Sequence, residues 1–241
     1  MDFTFNKDFK YKHDNPYHSR LAEFQDIVLR DDEGEKLKTA WNQHIFAREA
    51  PLWLEIGTGY GHFMMDFCQR YPQFNFVGLD YRFKRSYTLA KKLNSHPSKN
   101  FRYLRARGER THHLFGENEL DGIFYFFPDP WPKTRHNKKR LFKKEFLEAA
   151  YSSLKSKGKI YIKTDHDEYF SWMQKVITDQ PWFECTFQSR DIWNETTLAN
   201  NFLTSFQTKF EKIFLAKGTT IKAMILESKK IDPSDKGAYV L

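Results

Sequence analysis

The sequence predicts an α/β domain on a mostly parallel sheet, preceded by an N-terminal helical extension. Three observations predict it. Apolar runs of strand length alternate with amphipathic runs of helical length from residue 51 to residue 228, as chained βαβ units do. A glycine-rich turn, Gly57-Thr58-Gly59-Tyr60-Gly61, follows the first strand-like run and opens a helical one. No Gly/Ser linker, internal repeat or low-complexity block divides the 241 residues. A chain of that length buries a sizeable core without a disulfide or structural metal. The expected organisation is an arm and helical extension over 1–48 and an α/β domain over 49–241.

The elements follow in order. Residues 1–20 are polar and aromatic without a period and are expected to form a mobile arm. Residues 21–48 look like one or two helices broken near the acidic stretch 31–35. Residues 51–57 read as a strand, 62–72 as a helix stopped by Pro72, and 74–80 as a strand. Residues 84–96 form an amphipathic helix ended by Pro97, and 100–106 a strand. The apolar run 121–132 is a strand closed by three prolines. Residues 143–158 read as a helix with Gly158 at its C-terminal cap. A strand (159–166), a helix (168–179), a strand (183–189), a mostly helical stretch (198–214) and a last strand (219–228) complete about five βα repeats and two closing strands.

Composition excludes several classes. With 40% apolar and 29% charged residues, the chain is too apolar to be disordered and too polar for a membrane protein. No run reaches the ~18 apolar residues of a spanning helix, and the polar N-terminus has no signal-peptide core. Cys68 and Cys185 form no CxxC pair and no zinc pattern, so both are expected as buried small hydrophobes in a reducing cytoplasm, with no metal site. Aromatic residues make up 17% and the net charge is +8. Stacking rings with phosphate-holding cations suit a nucleic-acid binder; an aromatic core in a lysine-rich protein gives the same composition.

Glu55 and the loop Gly57, Gly59 and Gly61 come first among residues that carry chemistry. Glycines there let the backbone turn sharply and approach a ligand closely. The spacing is G-x-G-x-G, and His62 breaks the G-x-G-x-x-G of a dinucleotide loop. An acid just before the loop suits a positively charged ligand, such as a sulfonium, better than a phosphate. Asp80 ends the second strand, where a carboxylate accepts both hydroxyls of a ribose; an adenosylmethionine and a dinucleotide share that need. Phe127-Pro128-Asp129-Pro130-Trp131-Pro132-Lys133 lies at another strand end. Alternate prolines fix the backbone around a carboxylate and a large ring, at the edge where open α/β sheets bind ligands. From Lys133 to Lys144 there are seven Lys or Arg and no acid, as a phosphate-binding surface requires. Lys163-Thr164-Asp165-His166 puts a further carboxylate on the same rim. Thr208-Lys209-Phe210-Glu211 is, on its residues alone, ordinary helix surface.

In this order, the glycine loop with Glu55, the proline–tryptophan run with its basic tail, Thr-Asp-His and Thr-Lys-Phe-Glu resemble the bacterial tRNA (guanine-N7)-methyltransferase family, over about residues 50–228. The proline–tryptophan run is the specific part. The resemblance implies a class I S-adenosylmethionine-dependent methyltransferase fold, a doubly wound seven-stranded sheet with helices on both faces. It implies methyl transfer from S-adenosylmethionine to N7 of a guanosine in the variable loop of tRNA. It implies that Glu55, Gly57, Gly59, Asp80 and Asp129 line the cofactor, that Asp129 is also the catalytic carboxylate, and that Lys133, Asp165, Thr208 and Glu211 contact the substrate. It further implies a cytoplasmic enzyme, monomeric or weakly dimeric, with no metal and no membrane partner. One position departs. The family's acidic residue after the third strand, facing the adenine, is replaced by Arg107-Gly108, with Glu109 two residues late. Arg107 also motivates an alternative, a non-catalytic tRNA-binding protein with a decayed cofactor pocket. A nicotinamide-dependent oxidoreductase shares the loop and Asp80 but is opposed by His62 and the basic run. A methyltransferase of the same fold acting on another RNA or on protein is the remaining rival.

Overall fold

A computed structural model describes residues 16–195, 197–231 and 237–238. The chain enters through α1 (Pro16–Arg20) and a 3-10 turn (Leu21–Phe24), then forms β1 (Val28–Arg30), α2 (Asp31–Glu35) and a π-helical segment (Trp41–Phe46). Of the arm expected over 1–20, residues 1–15 lie outside the described residues. Within 16–20, Tyr17 and Arg20 contact Tyr87: Arg20 Nη2 donates to Tyr87 Oη at 2.5 Å, and the Tyr17 and Tyr87 rings lie 5.5 Å apart. The expectation of helices over 21–48 is corrected twice. Residues 28–30 form a strand, because the edge of the sheet offers them a parallel partner in residues 103–105. The stretch 31–35 is a helix rather than a break, because the Arg30 backbone N–H donates to the Glu33 carboxylate at 2.7 Å and closes its first turn.

The α/β unit then runs β2 (Leu52–Ile56), α3 (His62–Arg70), β3 (Asn75–Leu79), α4 (Phe83–Asn94), β4 (Phe101–Arg105), α5 (Thr111–Leu114), β5 (Leu120–Phe126), α6 (Lys144–Ser153), β6 (Leu154–Thr164), α7 (Asp167–Thr178), β7 (Phe183–Ser189), α8 (Leu198–Ser205), α9 (Lys209–Leu215) and β8 (Lys222–Ser228). The sheet order is β1-β4-β3-β2-β5-β6-β8-β7. Every pairing from β1 to β6 is parallel, and β8 lies antiparallel between β6 and β7. The mostly parallel α/β fold is therefore as expected, and the short edge strand β1 makes eight strands among the described residues where seven were implied.

Two further boundaries move. Helix α6 stops at Ser153 and Gly158 lies inside β6, where the pairing with β5 shifts register between Leu120 and Gly122. The helical stretch 198–214 is two helices, because the Thr208 hydroxyl accepts the Glu211 N–H at 3.1 Å and starts α9 afresh.

Strands β2, β3 and β5 are buried along their whole length, as covered parallel strands are. One sheet face carries a largely aliphatic layer (Leu54, Ile123, Ile160) under Leu147 of α6 and Met173 of α7. The other is aromatic: Trp53 stacks on Phe124 at 5.1 Å, and Phe63 and Phe67 of α3 pack edge-on or tilted against the same strands. Most of the aromatic composition is thus spent in the core. Among the described residues the exposed large rings are Tyr60, Tyr81, Trp193 and Phe210. Cys68 is buried as expected, whereas Cys185, on edge strand β7, is only half-buried; both are free thiols.

Gly122 is required by this packing. A Cβ there would sit 2.1 Å from Trp53 Cζ3. Gly122→Ala is expected to lower unfolding free energy by about 1–3 kcal/mol, read from the urea midpoint; a wild-type midpoint would contradict the packing described.

Candidate active site

Strands β3 and β5 flank β2 on opposite sides, so the chain order reverses there. In open α/β sheets a crevice forms beyond the strand ends at such a switch point. A cavity of about 600 Å³ lies there, within the usual range for small-molecule sites. It is lined from the β2 end by Gly57, from the β3 end by Asp80, Tyr81, Arg82 and Arg85, and from the β5 end by Asp129 and Trp131.

The glycine loop is held from below. Gly57, Gly59 and Gly61 all have left-handed backbones, with φ of +89°, +61° and +69°, which glycine adopts without steric cost. The Gly57 and Thr58 N–H groups donate to the Leu79 carbonyl at 2.8 and 3.0 Å. Asp80 completes the anchorage. Its Oδ2 accepts the Gly59 N–H at 3.0 Å and Arg85 Nη1 at 3.2 Å, and its Oδ1 accepts the Arg82 N–H at 3.0 Å. A carboxylate offers about four acceptor positions, so capacity remains for a ligand hydroxyl.

Glu55 lies under this loop, buried, and Oε2 has no hydrogen-bond partner. Burial, with the Asp80 charge adding to it, pushes its carboxyl up to about 8. A cationic group placed beside such an acid favours release of its proton and pairs with the carboxylate that forms.

The proline loop is strained and clamped. Phe127 and Trp131, each followed by proline, have φ of +50° and +45°; such residues cost roughly 1–3 kcal/mol each and persist where the surroundings over-determine them. The Phe127 N–H donates to the Lys163 carbonyl at 2.8 Å. Arg140 Nε donates to the Pro130 carbonyl at 2.9 Å, and its guanidinium lies over the Tyr169 and Trp172 rings. Asp129 is thereby presented at the mouth, 59% exposed, with Arg82 Nη2 3.3 Å away. Trp131 lines the cavity beneath Lys139, whose Nζ lies 4.6 Å from the ring.

The predicted residues divide in two. Gly57, Asp80 and Asp129 meet in one cavity, with Gly59 and Glu55 just behind it. Lys133, Asp165, Thr208 and Glu211 are outside its lining. Lys133 is exposed and Asp165 half-buried at the end of β6. Glu211 is fully buried; its carboxylate accepts Lys163 Nζ at 2.9 Å, Trp193 Nε1 at 3.1 Å and the Thr208 N–H at 3.2 Å. It faces the protein and ties α9 to β6. Burial holds the Lys163 ammonium below its ordinary value despite this partner. Arg140, counted with the basic run, is likewise buried in loop support. Sequence reasoning missed Tyr81, Arg82 and Arg85, although they directly follow Asp80. Arg107 and Glu109 both line the cavity, and the Arg107 guanidinium lies 5.2 Å from the Tyr81 ring centre. An acid therefore stays in reach of the site despite Arg107.

Residues 49–224 match the family described as "Putative methyltransferase". The chain is 31% identical over 190 residues to the tRNA (guanine-N(7)-)-methyltransferase of Pediococcus pentosaceus, covering 79% of this chain and 87% of that protein. It is 32% identical over 193 residues to that of Streptococcus mutans, covering 77% and 85%. The chain belongs to the tRNA (guanine-N7)-methyltransferase family. A bifunctional glycosyltransferase/methyltransferase of Fusobacterium nucleatum is 31% identical over 204 residues, 84% of this chain, and this chain spans only 31% of that protein. Among solved structures, the 16S rRNA methyltransferase KamB superposes with a TM-score of 0.57 at 15% identity, covering 83% of this chain and 94% of that one, which shows the fold alone. Membership of the tRNA (guanine-N7)-methyltransferase family removes the oxidoreductase reading.

The site fits the cofactor of such a methyltransferase. The orphaned Glu55 oxygen suits an ammonium or sulfonium group, Asp80 retains capacity for a ribose hydroxyl, and the cavity is of small-molecule size. Glu55 also carries a pH signature. The folded protein holds this proton to about pH 8, whereas the unfolded chain loses it near 4.5. Folding therefore takes up a proton between those values, and stability falls as pH rises across that window, by up to ~1.4 kcal/mol per unit. Glu55→Gln is expected to flatten this dependence in denaturant titrations; an unchanged slope would contradict the assignment.

Proposed function

We propose that the chain transfers a methyl group from S-adenosylmethionine to N7 of a guanosine in the variable loop of tRNA. The observation that carries the reading is the meeting of Gly57, Asp80 and Asp129 in one cavity at the switch point, in a chain of this family. Glu55 and the loop Gly57 and Gly59 would hold the amino-acid end of the cofactor, and Asp80 its ribose. When bound, the cofactor supplies the electrophilic sulfonium methyl group.

Guanine N7 has an exposed lone pair and no proton, so no general base is needed to create the nucleophile. The protein's contribution is placement, worth about 7–11 kcal/mol where two reactants are well aligned. Asp129 takes the catalytic role, because the methylated base is cationic and a carboxylate fixed at the mouth stabilises that charge as it develops. The strained proline loop keeps Asp129 in place before substrate arrives. Arg82 neutralises it meanwhile and must yield it to the base. Lys133 and Asp165 lie on the RNA side, and the Thr208–Glu211 cap acts there by positioning α9. No described helix is long and apolar enough to cross a membrane; a cytoplasmic location follows from the tRNA substrate.

The test is methyl transfer from labelled S-adenosylmethionine to unmodified tRNA transcripts, with nucleoside analysis. Label is expected in 7-methylguanosine and is expected to vanish when the variable-loop guanosine is replaced. Asp129→Ala is expected to reduce turnover by at least ~100-fold, the scale of removing one transition-state electrostatic partner, with the melting temperature retained. Wild-type turnover in that variant would overturn the role given to Asp129.

A further inference from the structure

Residues 81–108 contain nine Lys or Arg and no Asp or Glu, a longer acid-free stretch than the basic run after the proline loop. The centre of this stretch is α4, which carries Lys84, Arg85, Lys91 and Lys92 and no acid. Arg85 and Lys92 are two turns apart and share a face. The glycine loop delivers an aromatic ring to that face. Gly61 is pressed so closely on α4 that a Cβ would lie 2.6 Å from Leu89 Cδ1. Tyr60, between two left-handed glycines, is turned outward and is 46% exposed. Its ring lies 5.5 Å from the Arg85 guanidinium and 6.0 Å from Lys92 Nζ.

Lys209, at the start of α9, extends the positive surface; burial lowers the neighbouring His62 imidazole, and Lys92 and Lys209 lower it further. The carboxylates around the patch are already engaged. Asp66 pairs with Arg70 at 2.9 Å, Asp80 is buried against Arg85, and Glu211 is buried against Lys163.

We propose that Tyr60 and the basic face of α4 form a second tRNA-docking wall, opposite the wall formed by residues 133–144, so that the RNA straddles the mouth of the cavity. The proposal rests on the tRNA-methylation reading. Both walls reach the same cavity: Arg82 and Arg85 line it from one side, and Lys138 and Lys139 from the other. An exposed ring flanked by cations matches a single-stranded nucleotide, whose base stacks while its phosphates are neutralised.

The test measures binding of unmodified tRNA transcript to the full chain by fluorescence anisotropy across a range of salt concentrations. Lys84→Ala with Lys92→Ala is expected to weaken binding and to reduce the slope of log affinity against log salt by about 0.7–0.9 for each phosphate no longer neutralised. S-adenosylmethionine affinity and melting temperature are expected to stay at wild-type values, since neither lysine lines the cavity. Tyr60→Ala is expected to weaken tRNA binding with little change in salt slope, and Tyr60→Phe to restore it. Wild-type affinity and slope in the double lysine variant, with the wild-type protein still methylating tRNA, would overturn the second wall alone. A wild-type protein that neither binds nor methylates tRNA would overturn this proposal together with the function it rests on.

Discussion

The carboxylate of Asp80 is the group on which the rest of the site depends. It stands at the end of β3, yet it holds the Gly59 N–H of the loop that leaves β2, the Arg82 N–H of its own turn and the Arg85 side chain of α4. Three elements are thereby fixed to one buried group. The loop it fixes covers Glu55, and the turn it fixes carries Arg82 across to Asp129. A buried carboxylate is costly unless hydrogen-bonded or paired, and here the same bonds that satisfy Asp80 set the shape of the cavity.

Around this centre the charges are arranged in layers. The inner layer holds the carboxyl groups of Glu55, Asp80 and Asp129, which we propose face the cationic cofactor and the developing cationic base. The outer layer is basic, with Arg82, Arg85, Lys138 and Lys139 at the mouth, where a polyanionic RNA would approach. Basic walls raise the local concentration of such a partner and steer its approach. Burial shields Glu55 and Asp80 from the solvent screening that weakens surface charges, whereas Asp129 stands exposed at the mouth. One small crevice can therefore serve a positively charged donor and a negatively charged acceptor.

Much of this was legible in the sequence, for definite reasons. The parallel core strands were visible because burial on both faces leaves continuous apolar runs, as in residues 121–127. The glycine loop was visible because left-handed backbones need glycine, Asp129 because prolines flank it, and Asp80 because it ends a strand-like run after that loop. The edge strand β1 was not, because three residues on a sheet edge have no period to detect. The burial of Glu211 and Arg140 was also hidden. A charged side chain committed to buried hydrogen bonds reads, in sequence, like one facing solvent. Tyr60 and α4 were overlooked because their cations are spaced through an amphipathic helix instead of gathered in a run.

The central claim is that Asp80 both builds the crevice and grips the cofactor's ribose within it. Equilibrium titration of S-adenosylmethionine into the wild-type protein and Asp80→Asn tests it most directly, with melting temperatures as a check on folding. The amide keeps one acceptor for the loop but loses the charge and the second acceptor. The account predicts saturable binding to the wild-type protein and a large loss of affinity in a folded Asp80→Asn. Equal affinity in the two folded proteins would contradict it.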